Sequence, residues 1–422
     1  MANAPRRRAA DLVSTAGHGA TVIPRFLWCK TSLTLYNDRQ MKNLANASAP
    51  RLANRREFLR RTGIALSTVA AAPAVLAPAN ESAQITGSST IIEFEKELKQ
   101  LRFENYRHPK IDILKDGFRP VGGKLADFGT ARHNGRDHFF YIERRLKEGT
   151  PFYPGHEIYF GHASTANFFD WEVHDPALVV QPDSWEEAHL WAPVLVRNGE
   201  EFIMAYTGLN RHLSQNIGLA SSKDLFEWTR WPGNPISPAK GASWAYWRED
   251  DICSCRDPDL FRHQGRIYMP YTANTRAGAT CIALSSTADF KTWKDHGPIL
   301  VGPATGYEPR LGGGHPQGSF ESSNLSFRHG RYLLIFGATI RQRGGGTWAV
   351  ASDRIDSFSR EKIWRFWEDG ALVEVMRNEG TRSLLAGTVG GNLHFGEVDW
   401  AEAQPVAKTI RDRTTLERWQ KL

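Results

Sequence analysis

One signal constrains the fold of this chain more than any other. An apolar strand runs into a polar-glycine turn and a second apolar strand leaves it, five times along the sequence. Arg132-His133-Asn134-Gly135 precedes His138-Phe139-Phe140-Tyr141-Ile142, and Arg197-Asn198-Gly199 precedes Phe202-Ile203-Met204-Ala205-Tyr206. Arg262-His263-Gln264-Gly265 and Arg328-His329-Gly330 repeat the pattern before Ile267-Tyr268-Met269 and Tyr332-Leu333-Leu334-Ile335-Phe336. Arg377-Asn378-Glu379-Gly380 before Leu384-Leu385-Ala386 is a weaker fifth copy. The turn glycines are spaced 64, 66, 65 and 50 residues apart. Glycine supplies the positive φ that a tight hairpin needs.

A second marker keeps step with the first. Each copy continues into a strand, a polar turn and an aromatic anchor, as in Gly161-His162-Ala163-Ser164 leading to Trp171. Ala220-Ser221-Ser222 leads to Trp228, Leu284-Ser285-Ser286 to Trp293, and Val350-Ala351-Ser352 to Phe358. Short strands with regular turn punctuation and little helical periodicity indicate an all-β repeat, and radial repetition removes its sheet edges. The expected fold is a five-bladed β-propeller over 116–405. An N-terminal extension over 80–115 would be partly helical (Ile91 to Lys99), and 406–422 would form a C-terminal tail. The anchors Trp228 and Trp293 are expected to be packing residues.

Composition matters mainly for what it excludes. The net charge of +7 suggests a basic protein, but residues 1–61 alone carry +9, leaving the remainder near −2. A nucleic-acid partner is therefore not expected. Asn54-Arg55-Arg56-Glu57-Phe58-Leu59-Arg60-Arg61 resembles a twin-arginine export motif. An apolar run over 63–76 and the small-residue site Ala77-Pro78-Ala79 follow it. The run is too short and alanine-rich for a good membrane span. Residues 1–79 are thus expected to be a leader, with the signal peptide at about 41–79 and 1–40 an over-called start. The partner would be the twin-arginine export machinery, the destination periplasmic or extracellular, and the mature form free of a stable membrane span. Cys253, Cys255 and Cys281 form no metal motif; export permits a disulfide to Cys281, and buried thiols are the alternative. Gly312-Gly313-Gly314 and Gly344-Gly345-Gly346 lack the Lys-Ser/Thr of a phosphate loop and read as flexible loops.

In a propeller the innermost strand opens each blade and its beginning points into the central channel. Asp127, Trp191 and Asp257 each lie eight residues before their turn glycine, and Glu321 lies nine before Gly330. Repeat geometry would gather three carboxylates and a tryptophan around one cavity. Cleavage of a glycosidic bond needs such a set: an acid to protonate the leaving oxygen, and a carboxylate as base or nucleophile. Glu308 is a rival acid. His162, His189, His315 and His394 are candidates for substrate or ion contacts, each more simply read as structural.

Asp127 opening the first unit, Trp191-Ala192-Pro193 the second, Arg256-Asp257-Pro258 the third and Glu321 the fourth resemble the five-bladed glycoside hydrolases. These are family 43 (arabinanases, xylosidases) and family 32 (invertases, levanases). The Trp-Ala-Pro element resembles family 43 and Arg-Asp-Pro resembles family 32. The resemblance implies a glycosidase acting on furanose- or pentose-containing saccharides. It implies Asp127 as general base or nucleophile, Glu321 as proton donor, and Asp257 as substrate holder and tuner of the acid. Arg256 would bind sugar hydroxyls, and Trp191 would wall the pocket; apart from the resemblance, His315 is a further candidate for substrate binding. No cofactor is implied, though a structural ion in the central channel suits the fold. Ser322 stands after Glu321 where family 32 normally has Cys, and Ala126-Asp127-Phe128-Gly129 departs from both families. A non-catalytic sugar-binding propeller is one alternative, and a glycosyl transferase or phosphorylase on the same scaffold is another.

Overall fold

The computed structural model describes residues 111–120, 123–145, 157–250, 253–302, 320–340 and 343–422. Five antiparallel sheets follow one another along the chain. The first comprises β1 (Gly123–His133), β2 (Arg136–Arg145), β3 (Phe160–Thr165) and β4 (Trp171–His174), hydrogen-bonded in that order. The second holds β5 (His189–Asn198), β6 (Glu201–Leu209), β7 (Gln215–Ser222) and β8 (Thr229–Arg230). In the third, the inner strand is split into β9 (Cys255–Arg256) and β10 (Phe261–His263). Both pieces pair with β11 (Arg266–Asn274), which is followed by β12 (Thr280–Thr287) and β13 (Lys294–Val301). The fourth is β14 (Phe320–Arg328), β15 (Arg331–Ile340), β16 (Gly344–Ser352) and β17 (Trp364–Trp367). The fifth is β18 (Ala371–Glu379), β19 (Arg382–Val389), β20 (Asn392–Asp399) and β21 (Lys408–Thr409). These are the blades of a five-bladed β-propeller.

Blades pack face to face, so both faces of the middle strands are covered. This is why β6 and β12 read as apolar and small-residue runs rather than alternating patterns, and β12 is buried along its whole length. Inner hairpins turn on Asn134-Gly135, Gln264-Gly265 and His329-Gly330, with positive φ at both residues of each pair. That is the turn whose twist matches the flanking strands. A Cβ would meet nothing within 4 Å at Gly135, Gly265 or Gly330, so backbone conformation rather than space favours glycine there.

The second marker is one device used three times. Asn167, Asp224 and Asp289 each accept backbone N–H groups two and three residues ahead, and Phe168, Leu225 and Phe290 adopt left-handed φ. The indole N–H of Trp171, Trp228 and Trp293 then donates to the carbonyl three residues back, at 3.0–3.2 Å. The anchors are packing residues, as expected.

Closure departs from the sequence expectation. Segment 406–422 is no free tail: it supplies β21, the outermost strand of blade five, and a helix α1 (Arg413–Gln420) capped by Asp412. Leu416 and Trp419 of α1 pack with Ile113, Phe118, Phe139 and Phe395 in the seam between the first and last blades. Phe118 bridges to Leu393 through paired backbone hydrogen bonds. The tail reads as polar in sequence because its apolar groups in the seam, Ile410, Leu416 and Trp419, are few and widely spaced. Gly344-Gly345-Gly346 is likewise not a loop but the start of β16, paired with Ile340, Thr339 and Ala338. The leader, the helix over Ile91–Lys99, Glu308 and His315 lie outside the described residues. Among the described residues no helix is long and apolar enough to cross a membrane.

Cys253, Cys255 and Cys281 are buried thiols, none of them in a disulfide. Cys255 and Cys281 pair with Ala273 from opposite sides of β11, so two strand spacings, about 9.5 Å, separate them. A disulfide would need a Cα separation below about 7 Å. Burial pushes the Cys255 thiol up to about 12, leaving it unreactive.

Trp367 is fully buried at the joint between blades four and five, and its ring covers Gly370, Gly387 and Gly396 so closely that a Cβ at any of them would collide. Its indole N–H donates to Thr409 Oγ1 at 3.0 Å. Trp367→Ala is expected to cost about 3–5 kcal/mol, read as a lowered denaturant midpoint. Stability near wild type would show that the joint collapses to fill the void.

Candidate active site

Four of the five inner strands carry a bulge near the channel. Pairing shifts register between Leu125 and Phe128, Trp191 and Val194, Glu321 and Asn324, and Ala371 and Glu374. In blade three the inner strand simply breaks at Asp257-Pro258, where proline has no N–H for the ladder. Ala192, Asp257, Ser322 and Leu372 have left-handed φ of 46–56°. Bulges re-aim side chains, and here they turn consecutive residues toward the axis.

Pairing also corrects the sequence alignment of the blades. Counted from the strand pairs that flank each hairpin, the equivalent positions are Asp127, Ala192, Asp257 and Ser322, each 65 residues from the next. Trp191, Arg256 and Glu321 share the preceding position. Counting eight back from the glycine misplaces Trp191, because Gly199 is the first residue of its turn whereas Gly135, Gly265 and Gly330 are the second; Glu321, nine before Gly330, stands one position ahead of Ser322. The carboxylates nevertheless meet. Asp127, Trp191, Arg256, Asp257, Glu321 and Ser322 all line one pocket.

Arg256 is the hub. Its guanidinium is buried and donates to Asp257 Oδ2 and Glu321 Oε2, both at 3.1 Å, and to Ser254 Oγ at 2.6 Å. Asp257 Oδ2 also accepts from Thr272 Oγ1 at 3.3 Å and from the Ser322 N–H at 3.2 Å. Ser322 Oγ donates to Asp127 Oδ1 at 2.5 Å. A continuous chain of contacts therefore runs from Asp127 through Ser322, Asp257 and Arg256 to Glu321.

Three carboxyls around one guanidinium cannot all ionise freely. Burial raises Glu321 above the usual carboxylate range; Arg256 opposes the rise and the charge of Asp127 adds to it. Burial likewise raises Asp127, against the Ser322 hydroxyl and the cations Arg144 and Arg256. Asp257 is pushed up to about 7, by burial first and then by Asp127 and Glu321, with Arg256 pulling down. The cluster can thus hold a proton near neutral pH and titrates as a unit.

Several residues at the site escaped sequence reasoning. Arg144 lines the pocket from the end of β2 and pairs with Glu157 at 2.6 Å. The other Glu157 oxygen accepts the Trp191 indole N–H at 2.6 Å, which fixes that ring as a pocket wall. Trp191 also stacks on His189, with centroids 5.9 Å apart. An adjoining pocket shares Asp127, Asp257 and Ser322 and reaches Glu374. Burial raises Glu374 well above the usual range and Asp259 to about 7. Both occupy the position two residues after the bulge site, so the repeat register could have found them. Arg144 and Glu157 carried no such signal. His394 lies away from the pocket, its ring against Gly117 and its Nδ1 3.4 Å from Arg411. Burial and Arg411 lower it to about 4.

A propeller whose channel mouth holds paired carboxylates is the architecture of the five-bladed glycoside hydrolases, and comparison with known proteins agrees. Residues 125–307 match the model of the glycosyl hydrolases family 32 N-terminal domain. Sucrose-6-phosphate hydrolase of Pediococcus pentosaceus is 26% identical over 194 residues, 44% of this chain and 36% of that protein. The match thus spans about a third of that relative's length. The family 32 β-fructofuranosidase of Bombyx mori superposes with a TM-score of 0.57 at 15% identity, covering 76% of this chain and 70% of its own. A thermostable family-43 glycoside hydrolase superposes with a TM-score of 0.50 at 16% identity, covering 69% and 96%. At these identities the structural likeness establishes the fold, one shared with solved structures of families 32 and 43.

Proposed function

We propose that the protein is a glycoside hydrolase acting on furanose-containing saccharides, with fructofuranosides as the first substrates to try. The observation that carries this reading is that Asp127 and Glu321 open on the same pocket, with Arg256 held between the carboxyls of Asp257 and Glu321. The matched family domain and the sucrose-6-phosphate hydrolase relative support the fructoside preference.

Glu321, its carboxyl raised by burial, delivers its proton to the glycosidic oxygen as the carbon–oxygen bond breaks. Asp127, ionised with Ser322 donating to it, attacks the anomeric carbon or removes a proton from the water that does. Asp257 and Arg256 bind sugar hydroxyls, and Trp191 offers its face to the ring. Carboxylates and water supply the chemistry, so no cofactor is required. A structural ion in the channel would find an oxygen donor at Glu374, which lines it. The arginine-rich leader supports export through the twin-arginine pathway to the periplasm or beyond.

Assay of the mature chain against sucrose, fructans, arabinans and xylans tests the reading. Release of free fructose is the expected result; binding without turnover across the panel would replace the enzyme with a sugar-binding propeller. Within this reading Ser322 is a positioning residue. Ser322→Ala removes a hydrogen bond to a charged group, worth about 1.5–3 kcal/mol, so kcat should fall about 10- to 150-fold. Because the lost donor favoured the ionised form, the acidic limb of the kcat profile should move to higher pH, and Ser322→Thr should restore part of both. An unshifted limb would reduce Ser322 to a packing role.

A further inference from the structure

Blade one holds a cluster that the sugar pocket does not use. His138 on β2, His162 on β3 and His174 on β4 stand on three neighbouring strands. Register places His162 opposite His174, and places His138 opposite Ser164, two residues from His162. One ring nitrogen from each histidine lies within 4.8 Å of the other two. His138 Nδ1 and His162 Nε2 are 2.9 Å apart. A tetrahedral ion with metal–nitrogen bonds of about 2.05 Å needs neighbouring nitrogens about 3.3 Å apart, so small ring movements would complete the set.

The surroundings suit a metal rather than a chance meeting of rings. His138 and His162 are buried, and Phe140 stacks on His162 with centroids 4.4 Å apart. Phe226, reaching over from blade two, covers all three rings at 5.1–5.6 Å. His174 Nε2 meets Ser164 Oγ at 2.7 Å, the kind of contact that holds a ligand ring in place. The nearby Arg136 guanidinium is engaged with Ser164 and with Glu172 at 2.9 Å, which offsets its charge. Along β2 the cluster is four residues, about 13 Å, from Ile142 in the sugar pocket.

We propose that His138, His162 and His174 form a site for one divalent transition-metal ion of the zinc type, with water in the fourth position. Imidazole donors at tetrahedral spacing select zinc and its neighbours over calcium or magnesium. The ion would tie together the three outer strands of blade one and fix their contact with blade two. The site is independent of the glycosidase reading, and its test does not use sugar turnover.

The experiment takes the mature chain without an affinity tag, strips it with chelator, and titrates it with zinc chloride by calorimetry and with cobalt(II) by visible absorption. One equivalent per chain, a rise in Tm on zinc addition and the visible bands of tetrahedral cobalt are expected. His174→Ala, at the half-buried corner, should lose all three, whereas His212→Ala at an exposed turn should keep them. A His138→Gln variant serves as a second probe where truncation impairs folding. No uptake by the stripped chain at micromolar metal, or unchanged uptake in His174→Ala, would overturn the proposal and leave the cluster as ring packing.

Discussion

Replacing Glu321 by Gln should reduce kcat on natural saccharides by about 10²- to 10⁴-fold, the usual contribution of a positioned proton donor. Gln keeps an oxygen to accept the 3.1 Å hydrogen bond from Arg256 Nη2, so the fold and its Tm should survive. Dependence on the leaving group makes the test specific. An aryl fructoside, whose phenolate departs without protonation, should lose far less than sucrose. The pH profile should change as well. Wild-type activity should fall as pH rises through the raised Glu321 titration, because the acid is then deprotonated, and it should fall at low pH as Asp127 is protonated. In Glu321→Gln, assayed with the aryl substrate, the alkaline limb should disappear and the acidic limb remain. Equal losses on both substrates would move the donor role elsewhere.

A large effect on stability, with a pH signature, should come from Arg256→Leu. The guanidinium is the counter-ion of both Asp257 and Glu321, and removing one partner of a buried pair leaves uncompensated charge. The expected cost is about 3–5 kcal/mol, measured by denaturant unfolding. Its pH dependence has a definite sign. Asp257 already titrates at about 7 in the fold, against 3.8 for an ordinary aspartate. Without Arg256 it would rise further, so the folded state binds more protons than the unfolded chain. Stability of the variant should therefore be best below about pH 4 and decline as pH rises toward and past 7. Adding Asp257→Asn and Glu321→Gln to Arg256→Leu should recover much of the loss, since the stranded charges are gone. A pH-independent loss would point to the missing side-chain volume instead.

These two residues show how unevenly the site could be read from sequence. Asp127, Asp257 and Glu321 were accessible because a repeat of about 65 residues converts distance along the chain into position around an axis. Trp191 and Arg256 followed as neighbours in the same short motifs. Arg144 and Glu157 were not accessible, because they approach from outside the inner strand and no repeated turn marks them. Ser322 was visible only as a departure from a family pattern; its hydroxyl on Asp127 and its N–H on Asp257 appear once blades one, three and four meet. His162 stands as an isolated histidine in the sequence, and only cross-strand register brings His138 and His174 to it.

Sequence by itself determined the number of blades, the turns between their strands and which segment of each blade faces the channel. Those are local properties: positive φ at a hairpin, a capping Asn or Asp before an aromatic anchor, strands long enough to be sandwiched. The order of residues at the channel mouth was decided by tertiary structure, because a bulge shifts pairing by one residue without leaving a fixed mark in composition. Tertiary structure also drew 406–422 into the closing seam, where Leu416 and Trp419 find apolar partners contributed by the first blade. Charge was the last thing decided in this way. Asp257 becomes a carboxyl that titrates near neutrality only when burial removes water and Asp127 and Glu321 converge on it from other blades.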